Sequence, residues 1–530
     1  MPVLPLLSRE KTVAKPGFNR WLVPPAALLV HLSIGQVYAS SVYRRDLTAH
    51  FSDDWLASLL GEQTSIGLIF SIAVVFLGLS AAVFGKWVDL GGPRQAMVTA
   101  AALWTTAFLV GSLGIATEQL WLLYLGYGVI GGIGLGIGYI SPVSTLIKWF
   151  PDRPGVATGM AIMGFGGGAA VASPLSAWLL GMYDPDRAEV GVASGSALAS
   201  LFLTLGAIYL VAMLIGAALV RVPADGWAPE GFDKNAVATN AMITRASVSA
   251  NNALRSRQFY LLWIVLFVNV TVGIGILERA EPMIQEFFPD STAITAAAAA
   301  GFVGLLSLAN MLGRFGWSSL SDKLGRKNMY MMYLGVGATG YLLLALFGAS
   351  SVVVFVILTA VLLSFYGGGF ATIPAYLRDM FGSFQVGAIH GRLLTAWSAA
   401  GIAGPLIINR TLDASGSGEV RAADAAFEAG DYRPALFIMV GLLLVGFVAN
   451  LLVRPVDSKH HEPEEEAVAA KEEAAVAAQE VPVDAPAAGV STPAPRPRRS
   501  PMLVFAWILA GVPLSYGIIM TGIKASQLFL

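Results

Sequence analysis

Arg314 is the residue of this chain whose type and position most demand a chemical reason. It lies in the stretch Asn310-Met-Leu-Gly-Arg314-Phe-Gly-Trp-Ser-Ser-Leu-Ser-Asp322-Lys-Leu-Gly325-Arg326-Lys327. That stretch starts inside an apolar run beginning near Ala296 and ends in four charges, at Asp322, Lys323, Arg326 and Lys327. Charges so close together belong in water or among headgroups, because burying them in hydrocarbon is too costly. On a helix rising about 1.5 Å per residue, Arg314 sits roughly 12 Å deeper than Asp322. An arginine at that depth is expensive unless it faces a polar cavity or a partner. Its guanidinium is a planar fork of donors that suits a carboxylate held by two bonds. The competing use is a side chain that snorkels to the interface or pairs with Asp322.

The elements that must position such a group follow from composition. The chain of 530 residues is 56% hydrophobic and only 13% charged, half the charge usual in soluble proteins. Its apolar residues arrive in blocks of about twenty, the length that crosses a bilayer. The expected fold class is an all-α polytopic membrane protein, its partner the lipid bilayer. Spans are expected near 22–43, 64–84, 97–116, 120–147, 155–180 and 197–220. A second set follows near 259–279, 296–319, 329–348, 352–376, 388–409 and 434–454, with one more near 502–522. There is no cysteine, which excludes disulfides, thiol catalysis and cysteine metal sites. A net charge of −1 argues against nucleic acid as a partner. No metal cluster, nucleophile constellation or phosphate loop stands out, so neither an enzyme nor a cofactor is expected.

The domain boundaries are a cytoplasmic N-terminus at 1–20, a six-helix bundle at 21–221, a central loop at 222–257 and a second bundle at 258–455. An acidic, Pro-rich linker at 456–500, too poor in apolar residues to fold, leads to an additional helix at 501–530. Arg9, Lys11, Lys15 and Arg20 precede an apolar run too long for a signal-peptide core, so that run reads as an uncleaved span. Lysine and arginine are denser in the loops on the side of the N-terminus, which places it in the cytoplasm. The C-terminus is then outside if the thirteenth helix spans. The two bundles read as copies: Asp89 and Asp322, Pro142 and Pro374, Gly155 and Gly387, Gly159 and Gly391, and Pro174 and Pro405 all stand about 232 positions apart. Two parallel six-span repeats imply alternating access about a site near the midplane.

Gly85-Lys-Trp-Val-Asp89-Leu-Gly-Gly92-Pro-Arg94 joins the second and third spans, and Asp322-Lys-Leu-Gly325-Arg326-Lys327 repeats it. An aspartate there can cap a helix start or pair with a neighbour's basic residue. The pair resembles the loop signature of the major facilitator superfamily, and the resemblance covers residues 20 to 455. It implies two six-helix pseudo-repeats plus one extra C-terminal helix, with both loops acting as conformational switches. Ala157-Thr-Gly159-Met-Ala161-Ile-Met-Gly164-Phe-Gly-Gly-Gly168 is similar to the fifth-span signature of monocarboxylate transporters and of the oxalate/formate antiporter family. Its small residues also let helix backbones approach closely.

What that resemblance implies is a secondary transporter of a small carboxylate, with formate, oxalate, lactate and pyruvate all open. Either antiport or proton symport would drive it, in a bacterial cytoplasmic membrane. Arg314 matches the family arginine that holds the substrate carboxylate. The family's titratable aspartate four residues earlier is Asn310 here, and its eleventh-span lysine, expected after Thr395-Ala396, is Trp397. One fixed cation instead of two favours a monocarboxylate. Gln36, Tyr38, Tyr139 and Tyr366 are further substrate-binding candidates on helices that face the cavity in this fold. His31 is either a hydrogen-bonded helix contact or a proton-coupling group. Glu278, Arg279 and Glu281 read as a surface ion-pair cluster, and His390 and Arg392 as lining one end of the eleventh span. The final helix resembles a separate one-span subunit found with some of these transporters and is expected to pack on the core. Two other readings stay open, a transporter of a neutral solute or drug and a non-transporting membrane sensor.

Overall fold

The computed structural model describes residues 7–60, 62–187, 192–224, 227–229, 243–244, 246–382, 385–415, 427–462 and 501–529. Most of the expected linker at 456–500, much of the central loop at 222–257, and the side chain of Asp89 lie outside the described residues. Among the described residues, twelve helices are long and apolar enough to cross a bilayer. They are α1 (Arg20–Ser40), α2 (Ser65–Val88), α3 (Pro93–Ala116), α4 (Leu120–Trp149), α5 (Pro154–Tyr183), α6 (Gly195–Leu219), α7 (Arg257–Phe287), α9 (Arg326–Ser350), α10 (Val352–Phe381), α11 (Val386–Leu412), α12 (Ala429–Leu451) and α13 (Pro501–Phe529). Between α7 and α9 runs the 29-residue α8 (Ala296–Leu324), which carries Arg314 and the charged cluster.

Local chemistry sets where these helices start and stop. Ser256 and Thr295 cap α7 and α8 by accepting hydrogen bonds from Phe259 N and Ala298 N. Pro93 and Pro154 open α3 and α5, where a missing N–H costs nothing. Gly92 and Gly325 have φ of 88° and 83°, a backbone shape that a side chain disfavours. Both mark the turn after the second helix of their half, which is why each loop motif carries a glycine there. The residues that follow do equivalent work. Arg94 Nε donates to Ala217 O at the end of α6 (3.2 Å), and Lys327 Nζ to Leu451 O at the end of α12 (2.9 Å). Each cation meets the exposed carbonyls that end the last helix of its own half.

The layers are ordered by burial. The most hydrophobic window of α1 is 94% buried, while those of α6 and α12 are only 39% buried, so α1 is central and the last helix of each half is peripheral. The halves meet along two seams, α5 against α8 and α2 against α11. Glycine makes both contacts possible. A Cβ on Gly159 would stand 3.0 Å from Arg314 O, and one on Gly78 would stand 2.6 Å from Leu394 O. α1 changes from α-helix to a 3-10 winding at Gly35, and α11 is interrupted at Leu394 between its Val386–Leu393 and Thr395–Ser415 segments.

α13 leans across the α5–α8 seam. Trp507 Nε1 donates to Trp21 O (3.2 Å) at the start of α1, and Ala510 packs on Leu28 and Leu29. Farther along, a Cβ on Gly517 would be 2.5 Å from Ala170 O of α5, and one on Gly304 of α8 would be 2.6 Å from Thr521 Oγ1. α13 thus touches the first half at one end of the bundle and the second half at the other. Its remaining face is exposed and apolar.

Candidate functional site

Arg314 is completely buried, and its surroundings explain how. Gly166 on α5 lies directly against it: a Cβ there would be 2.7 Å from Arg314 Nε. Asn310, one turn earlier on α8, accepts from Nε at 2.9 Å. Asn310 is itself seated against Gly367 of α10, where a Cβ would be 2.6 Å from its Oδ1. Three rings surround the guanidinium carbon: Phe370 at 5.1 Å, Phe165 at 5.7 Å and Tyr366 at 5.9 Å to the ring centroids. Such contacts offset part of the desolvation of a cation. They do not supply acceptors, and Nη1 and Nη2 have no hydrogen-bond partner.

Two other polar atoms of this cage are a donor, Trp397 Nε1, and a hydroxyl that can donate or accept, Tyr139 OH. Trp397 Nε1 and Tyr139 OH are buried without partners. Trp397 packs on Phe370 (4.3 Å between centroids) and on Tyr139 (5.4 Å), so both belong to the same cluster. Tyr38 and Tyr366, from opposite halves, share a hydrogen bond between their hydroxyls at 2.8 Å. Tyr38, Tyr139 and Tyr366 all lie within electrostatic reach of Arg314. The hydroxyls of Tyr38 and Tyr139, which can accept as well as donate, interact with Arg314, so what the cage lacks is negative charge, and a carboxylate would supply it.

Both approaches to this cage are closed. At the end of the bundle that carries the loop motifs, Asp322 does not meet Arg314. Its two oxygens accept from Gly155 N (2.9 Å) and Val156 N (3.1 Å), capping α5 of the other half. Arg326 holds Asp322 in place (2.5 Å) and reaches Asp379 (3.2 Å), while Arg378 donates to Pro151 O across the same seam (3.3 Å). Gly85 faces Gly387 and Ala388 on the second seam. At the far end Arg44 of the first half pairs with Glu278 of the second at 3.0 Å. Between that pair and the Tyr38–Tyr366 bond lies a cavity lined by Tyr38, Tyr43, Arg44, Phe70, Ile274 and Glu278.

The residues singled out in the sequence thus separate into groups. Arg314, Asn310, Tyr38, Tyr139, Tyr366 and Trp397 come together. Gln36 does not join them, since Tyr43 OH accepts from its Nε2 (2.7 Å) and its Oε1 accepts from Tyr127 OH (2.9 Å). His31 stacks on Tyr139, and its two ring nitrogens face the carbonyl oxygens of Ala161 and Tyr139, tying α1 to α5 and α4. Asp322, Gly325 and Arg326 build the closure at the motif end, whereas Arg94 serves its own half. The expected surface cluster near Glu278 divides instead: Glu278 bridges the halves, and Arg279 turns to Glu286 (3.2 Å) and Tyr432 (3.2 Å). α7 runs on to Phe287, eight residues beyond its expected end. Phe165 and Phe370 were not anticipated. Their signal was a bulky ring set among glycines, in Gly164-Phe-Gly-Gly-Gly168 and Gly367-Gly-Gly-Phe370.

A family model described as the Major Facilitator Superfamily matches residues 18–405 and 280–528 of this chain. The oxalate:formate antiporter of Oxalobacter formigenes is 26% identical over 456 residues, covering 85% of this chain and 96% of the antiporter. Apicoplast pyruvate carrier 1 of Toxoplasma gondii is 27% identical over 369 residues, covering 62% of this chain and 66% of the carrier. Among solved structures, the Escherichia coli fucose:proton symporter superposes with a TM-score of 0.56 over 82% of this chain and 99% of its own, at 15% identity.

Proposed function

This chain belongs to the major facilitator superfamily and is a polytopic membrane transporter; from that premise we propose that it carries a small carboxylate held by Arg314. The observation that carries the proposal is a fully buried guanidinium that, among the described residues, has no anionic partner and whose Nη1 and Nη2 lie unpaired. A carboxylate offers two oxygens and one negative charge, which fit that edge as a bidentate pair. Tyr139 OH and Trp397 Nε1 would bond the same anion. Asn310 orients the fork without neutralising it, because an amide carries no charge. One fixed cation matches one carboxylate, so formate, lactate or pyruvate fits the charge better than oxalate. The two relatives, an oxalate:formate antiporter and a pyruvate carrier, support the substrate class.

Transport would follow from opening the two closures in turn, with the motif end facing the cytoplasm, where the loop lysines and arginines concentrate. Release of Asp322 from the α5 start would open one route, and separation of Arg44 from Glu278 together with Tyr38 from Tyr366 the other. Exchange and proton symport both fit this cycle. The test is counterflow of labelled formate, lactate, pyruvate and oxalate into proteoliposomes, for wild type and Arg314→Ala. Uptake of a monocarboxylate by wild type, lost in the variant, is the expected result. Carriage of a neutral solute by both proteins, with no carboxylate moved by either, would overturn the proposal.

A further inference from the structure

His31 sits near the middle of α1, completely buried, with a carbonyl at each ring nitrogen. Nδ1 faces Ala161 O of α5, and Nε2 faces Tyr139 O of α4 at 3.1 Å. A neutral imidazole carries N–H on one nitrogen and a lone pair on the other. With carbonyls at both, the neutral ring always turns one lone pair toward an oxygen, whereas an imidazolium donates to both. A third carbonyl, that of Gly138, also acts on the ring. Pro142 stands four residues later inside α4 and has no N–H to give that oxygen. The ring stacks on Tyr139, with centroids 5.4 Å apart and planes 20° apart, and an aromatic face favours a cation. These surroundings suit the charged form of the side chain.

That charge would stand beside a second one. Phe165 meets the His31 ring edge-on at 6.5 Å and lies 5.7 Å from the Arg314 guanidinium. The charge of Arg314 acts on His31. Tyr139 is the titratable group that faces the ring from α4, and Arg314 the charged group that reaches it from α8. On its own segment Tyr38 follows about two turns later and packs on the same Phe165. α5 presents the Ala161 carbonyl, Gly164 and Phe165. α6 meets α1 through Gly216 at Ala26 and Val30, and α13 through Ala510 at Leu28 and Leu29; neither contact brings a titratable group. Among the described residues no carboxylate bonds either ring nitrogen. We infer that His31 is a proton-binding site coupled through charge to the carboxylate on Arg314. The inference rests on the carboxylate reading given above.

The proton adds to the ring nitrogen that holds the lone pair, giving an imidazolium. It crosses with the bound carboxylate and leaves from the ring on the other side. The empty carrier holds the Arg314 charge alone. The loaded carrier holds two cations and one anion, so both states cross with the same net charge. Without an anion in the cage, Arg314 opposes a second cation beside it; a carboxylate on Arg314 cancels that repulsion. By reciprocity, a proton on His31 strengthens carboxylate binding by the same factor, on the order of tenfold for a typical coupling between two sites.

The experiment starts with the purified full chain in weakly buffered solution, a pH dye and added formate, lactate or pyruvate. Wild type should take up protons as it binds the anion, and its affinity should rise about tenfold as pH falls. Glutamine keeps N–H donors for the carbonyls and cannot titrate. His31→Gln should therefore bind carboxylate without proton uptake, at an affinity that no longer varies with pH. His390→Gln should take up protons as wild type does. In proteoliposomes, after subtraction of the leak of protein-free vesicles, an inward carboxylate gradient should acidify the lumen for wild type and not for His31→Gln. Proton uptake retained in His31→Gln overturns the inference, as does uptake lost only in His390→Gln. If His31→Gln binds no carboxylate, nitrogen NMR of protein labelled with 15N-histidine decides. A neutral imidazole that becomes imidazolium on adding carboxylate, in wild type and still in His390→Gln and His50→Gln, supports the inference. Buried imidazoles that all stay neutral overturn it. Wild type that binds carboxylate without proton uptake overturns the proton site alone. Wild type that binds no carboxylate removes the carboxylate reading and the inference with it.

Discussion

The Arg314→Met substitution separates a binding charge from a structural one, because the two readings demand opposite changes in stability. In the closed structure Nη1 and Nη2 present their N–H groups to no acceptor, and only Nε is bonded, to Asn310. Each buried polar group left unmatched costs about 1–3 kcal/mol. Methionine fills most of the same volume without polar atoms and leaves only Asn310 Oδ1 without its donor. The unliganded variant should therefore be as stable as wild type or up to about 4 kcal/mol more stable, the range seen when buried ionic groups give way to apolar ones. Carboxylate binding should suffer in the opposite sense. Two charge-assisted hydrogen bonds of about 1.5–3 kcal/mol each are lost, which weakens affinity by roughly two to four orders of magnitude. The assay is thermal melting of the purified protein with and without formate, lactate or pyruvate. A carboxylate at about 100 times its Kd should add about 2.7 kcal/mol to wild type and nothing to the variant. A variant destabilised by about 3–5 kcal/mol, the cost of breaking a satisfied buried ion pair, would refute the reasoning, especially if no carboxylate shifts wild type.

Three other substitutions probe the supports of the site. Gly166→Ala would place a methyl 2.7 Å from Arg314 Nε, and such overpacking costs about 1–3 kcal/mol; carboxylate affinity measured by counterflow should fall about tenfold or more, and an unchanged value would contradict this placement of Arg314. Asp322→Ala removes a cap worth about 1–2 kcal/mol from the start of α5 and should shift the population about 5–30-fold toward forms open at the motif end. Because the chain has no cysteine, maleimide labelling of Thr158→Cys reports this directly, and unaltered labelling would exclude Asp322 as a latch. Gly517→Leu collides with Ala170 O and should free α13, so that a cross-link between Leu29→Cys and Ala510→Cys forms in the parent and fails in the variant. Persistence of that cross-link would show that α13 is seated by other contacts.

Sequence alone determined the kind of molecule. Blocks of about twenty apolar residues can satisfy their backbone in lipid only as helices, so the fold class was legible without contacts. The repeat offset and the paired loop motifs were legible because a glycine with positive φ is a local requirement of each turn, whereas the cap that Asp322 supplies to α5 of the other half was not. Arg314 stood out for the same reason, as an energetic anomaly that depth and residue type suffice to reveal. Tertiary structure alone decided what each anomaly is bonded to. Gln36 and Tyr38 are two residues apart, yet Gln36 is spent on Tyr43 and Tyr127 while Tyr38 meets Tyr366 of the other half, because the 3-10 winding after Gly35 turns them toward different neighbours. Glu278 and Arg279 are adjacent, yet one bridges the halves and the other stays within its own. His31 and His390 look alike as lone buried histidines, and only packing shows that carbonyls face both ring nitrogens of His31 while Nε2 of His390 has no partner. The physical reason is common to all three pairs: helix spans follow from local periodicity, whereas a polar atom's partner depends on which residue of a distant helix stands within about 3 Å of it.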